Sequence, residues 1–263
     1  MRRIIRADAI CLRVQDYSES SKIVTLLTRE HGKVNCIAKG ARRVRSKYGA
    51  ALDLFAVARV IYYWRETHTL YTLSDAELIR SHSGLASPAA RFLAAEQMAE
   101  FALRALQPND PGPQLYDLLS VYLDVCETAQ GAYSALVCSF LLKAASFLGF
   151  RPELRRCLIC RRTPEPTVAV FFEPLKGGVV CARCAGENPA GTRLAPAELG
   201  MLAQLLYLPA EEIVGRAAPA VPTELVLDFL AHHFDPLILN SFRRPLGDRQ
   251  PAWRTSGNMP QGV

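Results

Sequence analysis

The first eighty residues carry short runs in which apolar and polar positions alternate. In the clearest run, residues 33–39, Val34, Cys36 and Ala38 share one face, while polar and charged side chains dominate the other. A period of two is typical of a strand with one buried face. Similar runs predict strands at residues 4–12, 22–28, 55–63 and 70–73. Five short strands with a long connection after the third predict an OB-like barrel.

The period changes to a helical one after residue 88. Apolar residues such as Phe92, Ala95 and Ala99 recur at steps of three and four, which predicts a helix. Further helices are predicted at residues 115–129, 133–148, 196–208 and 223–233. The helix at 133–148 is apolar nearly all round, so we expect it at the centre of a bundle, with Gly149 as its stop.

These elements predict an α+β chain made of four segments. We expect an OB-like nucleic-acid-binding domain at residues 1–82 and a helical domain formed by residues 83–150 and 190–246. A cysteine-containing hairpin at 151–189 interrupts the helical domain. Residues 247–263 are polar and contain Pro and Gly, which predicts a flexible tail.

Four cysteines form two Cys-x-x-Cys pairs that are separated by twenty residues: Cys157, Cys160, Cys181 and Cys184. Two such pairs can place four thiolates around one metal ion, and a closed shell of four sulfurs is typical of structural Zn²⁺. Between the pairs, the β-branched and aromatic stretch 167–172 and the turn at Gly177 and Gly178 predict a hairpin. The spacing leaves two disulfides or four unrelated buried thiols as alternatives.

The remaining cysteines, Cys11, Cys36, Cys126 and Cys138, are single residues among apolar neighbours, as expected of buried thiols in a reducing compartment. The basic start of the chain does not resemble a secretion signal, because Asp8 and Arg13 interrupt its apolar stretch. The most apolar helical stretch is short and contains Lys143, so no membrane span is expected. The sequence therefore predicts a soluble, cytoplasmic protein.

The positive charge is concentrated in the first third of the chain. The formal net charge is +6, and residues 1–80 contribute 15 Lys and Arg against 8 Asp and Glu. Residues 39–48, which we call the basic loop, contain no acidic residue and five cations: Lys39, Arg42, Arg43, Arg45 and Lys47. The cluster fits a phosphate-binding surface, and a solvated loop without a ligand is the alternative.

Six aromatic residues of the same region can serve either as stacking surfaces for bases or as core: Tyr17, Tyr48, Tyr62, Tyr63, Trp64 and Tyr71. Core or rim packing is the more common role. The chain lacks the sequence motifs of nucleotide hydrolases, dinucleotide-dependent oxidoreductases, serine hydrolases and metalloproteases. We therefore expect a protein that is not an enzyme and has no catalytic residues.

The order and spacing of several segments resemble the bacterial RecO family of recombination mediators. These segments are AICLR at 9–13, DYSES at 16–20, LTREHGK at 27–33, AKGARR at 38–43, LYTL at 70–73, LGFRPEL at 148–154 and LNSF at 239–242. The resemblance covers about residues 4–246. Asn240 and Ser241 stand where the family usually has Lys-Ser, and some members lack the cysteines, which agrees with a structural metal.

The resemblance implies a non-enzymatic protein that binds single- and double-stranded DNA and anneals complementary strands. It also implies a partner, RecR, with which the protein helps to load RecA onto DNA coated by single-stranded-DNA-binding protein, and a cytoplasmic, nucleoid-associated location. The five loop cations, helped by Arg29 and Lys33, would then contact phosphates. An apolar groove flanked by Lys143, Arg151 or Arg155 would accept the acidic tail of the single-stranded-DNA-binding protein.

A zinc-ribbon protein that binds RNA, or that is associated with transcription or the ribosome, is the alternative function. Such a protein would also be basic and OB-like, but its positive charge would extend onto the ribbon. Here the cysteine-containing segment is nearly balanced in charge. A zinc hydrolase is disfavoured because it needs an open coordination position, which four cysteine ligands do not leave.

Overall fold

The computed structural model describes residues 2–187, 189–216, 222–235 and 242, so the tail predicted at 247–263 lies outside the described residues. The chain divides into two compact units. Among the described residues, the first unit contains 2–83, 102–117 and 242, and the second contains 84–101 and 118–235 with the gaps given above.

The first unit is built on five strands: β1 (Arg2–Asp16), β2 (Lys22–Thr28), β3 (Gly32–Ala38), β4 (Val57–Arg65) and β5 (Leu70–Arg80). They form a closed barrel in the order β1-β2-β3-β5-β4. The barrel closes because β1 is long enough to pair with β4 along its first half and with β2 along its second. β3 and β5 are parallel, and the other neighbours are antiparallel. The predicted OB-like barrel is confirmed.

The barrel core follows the predicted alternation in β3, where Val34, Cys36 and Ala38 are buried. The sequence underestimated the length of two strands, because β1 continues to Asp16 and β5 continues to Arg80. The last four residues of β5 are exposed. Backbone pairing with β4 holds this end of β5, and such pairing leaves no apolar pattern in the sequence.

The turn between β2 and β3 is shaped by Thr28 and Gly32. The Thr28 hydroxyl donates to the Gly32 carbonyl oxygen at 2.9 Å and accepts the His31 N–H at 3.1 Å. Gly32 has φ +62°, and a Cβ atom at this position would lie 1.8 Å from the Asp110 carbonyl oxygen. Only glycine fits this position, since the 102–117 segment of the same unit lies directly against the turn.

Seven α-helices lie in the described residues: α1 (Ala89–Ala105), α2 (Pro113–Thr128), α3 (Tyr133–Phe147), α4 (Ala182–Ala185), α5 (Pro196–Tyr207), α6 (Ala210–Val214) and α7 (Thr223–His233). In the second unit, α3 packs against α5, α6 and α7 and is buried on most of its surface, as its composition predicted. Gly149 ends α3 with φ +94°, and the Phe150 N–H donates to the Ala145 carbonyl oxygen at 2.8 Å. The sequence missed α6, whose five residues are too few to show a period.

A small sheet in the second unit contains β6 (Val170–Glu173), β7 (Gly178–Cys181) and β8 (Thr192–Leu194) in the order β7-β6-β8. β6 and β7 form the predicted hairpin, which is confirmed. β8 was missed because three residues cannot display an alternation. Within the described part of the chain, no helix combines the length and apolar character needed to cross a membrane.

Candidate metal centre and nucleic-acid interface

The hairpin brings the four paired cysteines to one point. Cys157, Cys160, Cys181 and Cys184 each offer one sulfur, and the four sulfurs all lie within 4.8 Å of one another. The Cys157 side chain is fully buried, and the other three are partly exposed. Cys181 ends β7 and Cys184 lies in α4, so the second pair is placed by a strand-to-helix turn. These four residues, which we call the cysteine centre, can hold a metal ion.

The electrostatics of the four thiols favour a cation at their centre. Burial opposes ionisation of Cys157, but N–H donors from Cys181, Cys160 and Ile159 outweigh it and lower its pKa to about 6. The hydrogen bond to Cys181 raises the pKa of Cys184 to about 12, with smaller contributions from burial and from the other two cysteines. Four sulfurs so close together cannot all ionise alone, and a thiophilic divalent ion removes their repulsion.

The other four cysteines have no such arrangement. Cys11, Cys36, Cys126 and Cys138 are buried, and burial raises the pKa of each thiol, to about 12 for Cys11 and to about 11 for Cys126 and Cys138. Within the described residues they belong to no group of metal-ligating side chains. They are core residues, as their apolar surroundings predicted.

The basic loop is a chain of hydrogen-bonded turns. The Ala41 N–H donates to Ala38, the Arg43 N–H to Gly40, and the Ser46 N–H to Arg43, at 3.4, 3.2 and 3.0 Å respectively. Tyr48 closes the loop, because its ring is buried in the barrel core and its hydroxyl donates to the Leu73 carbonyl oxygen at 3.0 Å. The loop therefore has a defined conformation on the barrel.

The five loop cations divide into two kinds. The Arg42 guanidinium donates to the Ser18 carbonyl oxygen at 2.7 Å and lies 3.5 Å from the Asp16 carboxylate. The Lys47 amine donates to the Ser74 carbonyl oxygen. The remaining three side chains are exposed and have no ion pair or hydrogen bond in the described part of the chain: Lys39, Arg43 and Arg45.

The structure does not bring Arg29 and Lys33 to the basic loop. Lys33 lies at the start of β3 and the loop follows its end, a separation of about 20 Å for a strand of this length. Arg29 forms a two-point ion pair with Asp117, at 2.8 and 2.9 Å. The half-buried Lys33 amine, whose pKa is lowered by burial, donates to the Leu103 carbonyl oxygen at 2.6 Å. Both cations bind the 102–117 segment.

Three of the six candidate aromatic residues are core residues. Tyr48, Tyr62 and Tyr71 belong to the buried barrel cluster, and Tyr62 is fully buried. Tyr17 is half exposed and precedes Ser18, the residue that anchors Arg42. The burial of the barrel aromatics was not visible in their sequence spacing, whereas the position of Tyr17 beside a Ser-rich turn was a usable signal for exposure.

On the second unit, the cations suggested as flanks of an apolar groove have different surroundings. Lys143 is bound within the protein, because its amine donates to the Tyr122 hydroxyl at 2.8 Å and to the Leu208 carbonyl oxygen. Arg151 and Arg155 are exposed, and both guanidiniums lie over the Tyr207 ring, 5.2 and 4.2 Å from its centre. These two arginines form a cationic surface over an aromatic ring, and they lie six and two residues before Cys157 in the sequence.

Similar proteins agree with both halves of this architecture. Residues 1–82 match the family model described as recombination protein O N terminal, and residues 89–244 match the model described as recombination protein O C terminal. Together the two models cover most of the chain.

Several curated relatives carry the name DNA repair protein RecO. The one from Anaeromyxobacter sp. (strain Fw109-5) is 31% identical over 236 residues, which cover 87% of this chain and 91% of the relative. The one from Rubrobacter xylanophilus is 35% identical over 215 residues, covering 81% and 85%. The one from Symbiobacterium thermophilum is 33% identical over 204 residues, covering 77% and 80%. The chain therefore belongs to the recombination protein O family.

Proposed function

We propose that the protein is a mediator of DNA repair and homologous recombination that binds DNA through the basic loop. The observation that supports this function best is the exposed cation set of Lys39, Arg43 and Arg45 on a hydrogen-bonded loop of an OB-like barrel. Barrels of this kind commonly bind oligonucleotides on their loops and open face. Membership of the recombination protein O family, whose relatives are named DNA repair proteins, supports the same function.

The charge of the loop supports binding that does not depend on base sequence. Each Lys or Arg that neutralises a phosphate releases counterions, which gives affinity that falls with salt. Contacts of this type position a strand without specifying its bases. We expect single- and double-stranded DNA both to bind. Annealing then requires no active site, because a basic surface that screens the repulsion between two strands promotes their pairing.

The proposed DNA surface is smaller than the sequence suggested. Arg29 and Lys33 are bound to the 102–117 segment, so we assign them a structural role and limit the surface to residues 39–47. Arg42 and Lys47 contribute less than the other three cations, since each already contacts the protein. Tyr17 is added as an exposed aromatic residue beside the loop anchor.

We propose that Cys157, Cys160, Cys181 and Cys184 hold one Zn²⁺ with a structural role. Four sulfurs within 4.8 Å leave no position for a water or substrate on the metal. Bound zinc would fix the hairpin to the segment that carries the first cysteine pair. Its contribution is folding free energy rather than chemistry.

Partner proteins are proposed to bind the second unit. The arginines around Tyr207 offer two cations over an aromatic ring, which suits a short segment that combines acidic and apolar residues. The acidic tail of single-stranded-DNA-binding protein has this chemistry. RecR is proposed as the second partner, with RecA affected only indirectly through the DNA. A change of both Arg151 and Arg155 to Ala should weaken tail binding while DNA affinity is unchanged.

The central experiment replaces Arg42, Arg43 and Arg45 by Ala and measures DNA binding by fluorescence anisotropy at two salt concentrations. Affinity for single strands should fall, and the slope of log K against log salt should decrease by about 0.7 for each lost phosphate contact. Strand annealing should fall in parallel. The melting temperature should stay within a few degrees of the parent protein, because exposed charges contribute little to stability.

A matched control removes three exposed arginines from the second unit, through Arg161→Ala, Arg193→Ala and Arg216→Ala. It changes the net charge equally, so a similar loss of affinity would show that only total charge matters. An RNA strand of the same sequence tests the alternative function of an RNA-binding zinc-ribbon protein. Unchanged affinity and salt slope in the loop variant would place the DNA surface elsewhere.

A further inference from the structure

One apolar side chain, that of Val44, is fully exposed at the tip of the basic loop. Val44 exposes 104% of the area that it exposes in a reference peptide, and no other large apolar side chain in the described part of the chain exceeds 69%. It lies between Arg43 and Arg45, the two exposed arginines of the loop. A lone exposed apolar residue is ordinary on a protein surface. What distinguishes Val44 is its position between two arginines that have no ion pair with any residue that the structure describes.

The backbone presents Val44 in a fixed place. The hydrogen bond from the Ser46 N–H to the Arg43 carbonyl oxygen makes residues 43–46 a β-turn with Val44 as its first central residue. Turn positions of this kind favour Gly, Pro, Asn, Asp or Ser, and a β-branched residue gains nothing there from the turn itself. The contacts of Arg42, Lys47 and Tyr48 hold both ends of the loop. Val44 therefore projects from an anchored loop.

The flanking charges restrict what can cover this side chain. A ligand at this tip must carry negative charge on both sides of an apolar surface. Single-stranded DNA has this arrangement, because an unstacked base exposes an apolar face between two phosphates. In duplex DNA the base faces are stacked and only the groove edges are accessible. Apolar side chains that contact or separate bases occur in several DNA-bending proteins.

We propose that Val44 packs against the face of an unstacked base in single-stranded DNA while Arg43 and Arg45 hold the phosphates on either side. This proposal rests on the proposed function and deepens it, since it assigns the loop a preference for unpaired strands. The arginines supply the salt-dependent part of the affinity. Val44 supplies a part that depends on the bases and does not depend on salt.

The test is Val44→Thr, which keeps the shape and the β-branch but replaces one methyl group by a hydroxyl. Affinity for single-stranded DNA should fall about fourfold, the value of one buried methyl-sized group. Affinity for duplex DNA, and for a strand of abasic sites with the same number of phosphates, should not change. The salt slope should equal that of the parent protein. Val44→Leu should retain or increase the affinity for single strands.

The control is Val121→Thr, because Val121 is 44% exposed on α2 and far from the basic loop in sequence. It should leave all affinities unchanged. A strand with 2-aminopurine gives a direct signal, since a base that leaves its stack becomes brighter, and this increase should be smaller with Val44→Thr. Equal weakening on the abasic strand, or no change on any substrate, overturns the proposal. The proposed function fails separately, if the triple arginine variant keeps its affinity and salt slope.

Discussion

The basic loop and the cysteine centre are both groups of chemically similar side chains, but the chain positions them in opposite ways. The loop cations come from one stretch of ten residues, and three of them, Lys39, Arg43 and Arg45, are exposed and form no ion pair or hydrogen bond in the described part of the chain. The cysteines come from two places separated by twenty residues and meet within 4.8 Å. The cations of the loop are neighbours in the sequence, although contacts with Ser18, Ser74 and Leu73 anchor the loop on the barrel. The four cysteines become neighbours only when the hairpin forms.

The difference follows from the range of the forces involved. Charges attract phosphates over roughly 8–10 Å at moderate salt, so a binding surface tolerates loose placement of each cation. Metal–sulfur bonds form only near 2.3 Å, so all four ligands must be placed together by the fold. Removal of loop charges should therefore change binding and leave stability intact. Removal of cysteine ligands should do the reverse.

The largest expected effect comes from the double change Cys157→Ser and Cys181→Ser. If the four cysteines hold the proposed zinc, the variant should lose the metal, and its melting temperature should fall by about 10 °C or more, because metal binding contributes to the folding free energy. Metal content by plasma emission and melting by calorimetry are the measurements. DNA affinity at a temperature where the barrel is folded should be retained.

A matched control for this variant is Cys126→Ala, which removes a buried thiol outside the cluster. It should keep the full zinc content. Full zinc occupancy in the double variant would contradict the assignment of Cys157 and Cys181 as zinc ligands. A strong loss of DNA affinity in the folded double variant would mean that the cysteine centre also takes part in DNA binding.

The second largest effect is expected from Gly32→Ala, which should destabilise the barrel that carries the basic loop. A Cβ atom at Gly32 meets the Asp110 carbonyl oxygen at 1.8 Å, and φ is +62°, so both steric conflict and backbone strain oppose the change. The free energy of unfolding should fall by roughly 3 kcal/mol. Chemical denaturation followed by fluorescence measures it.

Gly49→Ala isolates the backbone part of this cost. Gly49 also has a positive φ, +49°, but a Cβ atom there meets nothing within 4 Å. Its cost should be about 1 kcal/mol. Equal destabilisation by the two substitutions would mean that the contact with Asp110 is unimportant, and that the 102–117 segment does not support the turn.

The third effect separates structural cations from binding cations. Lys33→Met keeps the aliphatic stem but leaves the Leu103 carbonyl oxygen, in the last turn of α1, without its donor. Stability should fall by about 1 kcal/mol, while DNA affinity and salt slope stay unchanged. Arg43→Ala is the matched opposite, with lower affinity and unchanged melting. A reduced salt slope in Lys33→Met would indicate that Lys33 contacts DNA phosphates.

The smallest effect distinguishes cations within the loop. Arg42 is partly neutralised by Asp16, at 3.5 Å, whereas Arg43 has no acidic partner within the described residues. Single-strand titrations at five salt concentrations should show a decrease in slope approaching 0.7 for Arg43→Ala. Arg42→Ala should show a smaller decrease. The opposite order would indicate that DNA displaces Asp16 from Arg42.

Much of the fold could be predicted from the sequence, because an element that buries one face has apolar residues at a regular spacing. The alternation in β3 and the helical spacing in α1 predicted those elements, and Gly149 marked the end of α3. The ends of β1 and β5 were missed because exposed backbone pairing leaves no apolar pattern. Short elements such as β8 and α6 contain too few residues for any period to appear.

The sequence by itself determined the features that depend on local order: the two cysteine pairs with their hairpin, the five cations of the basic loop, and the helical periods. Only the tertiary structure decided which cations are bound to other parts of the protein. Arg29 binds Asp117 and Lys33 binds Leu103, and these partners lie 88 and 70 residues away along the chain. Charge along a sequence shows which side chains are able to bind phosphate. Contacts between distant segments decide which of them stay exposed to do so.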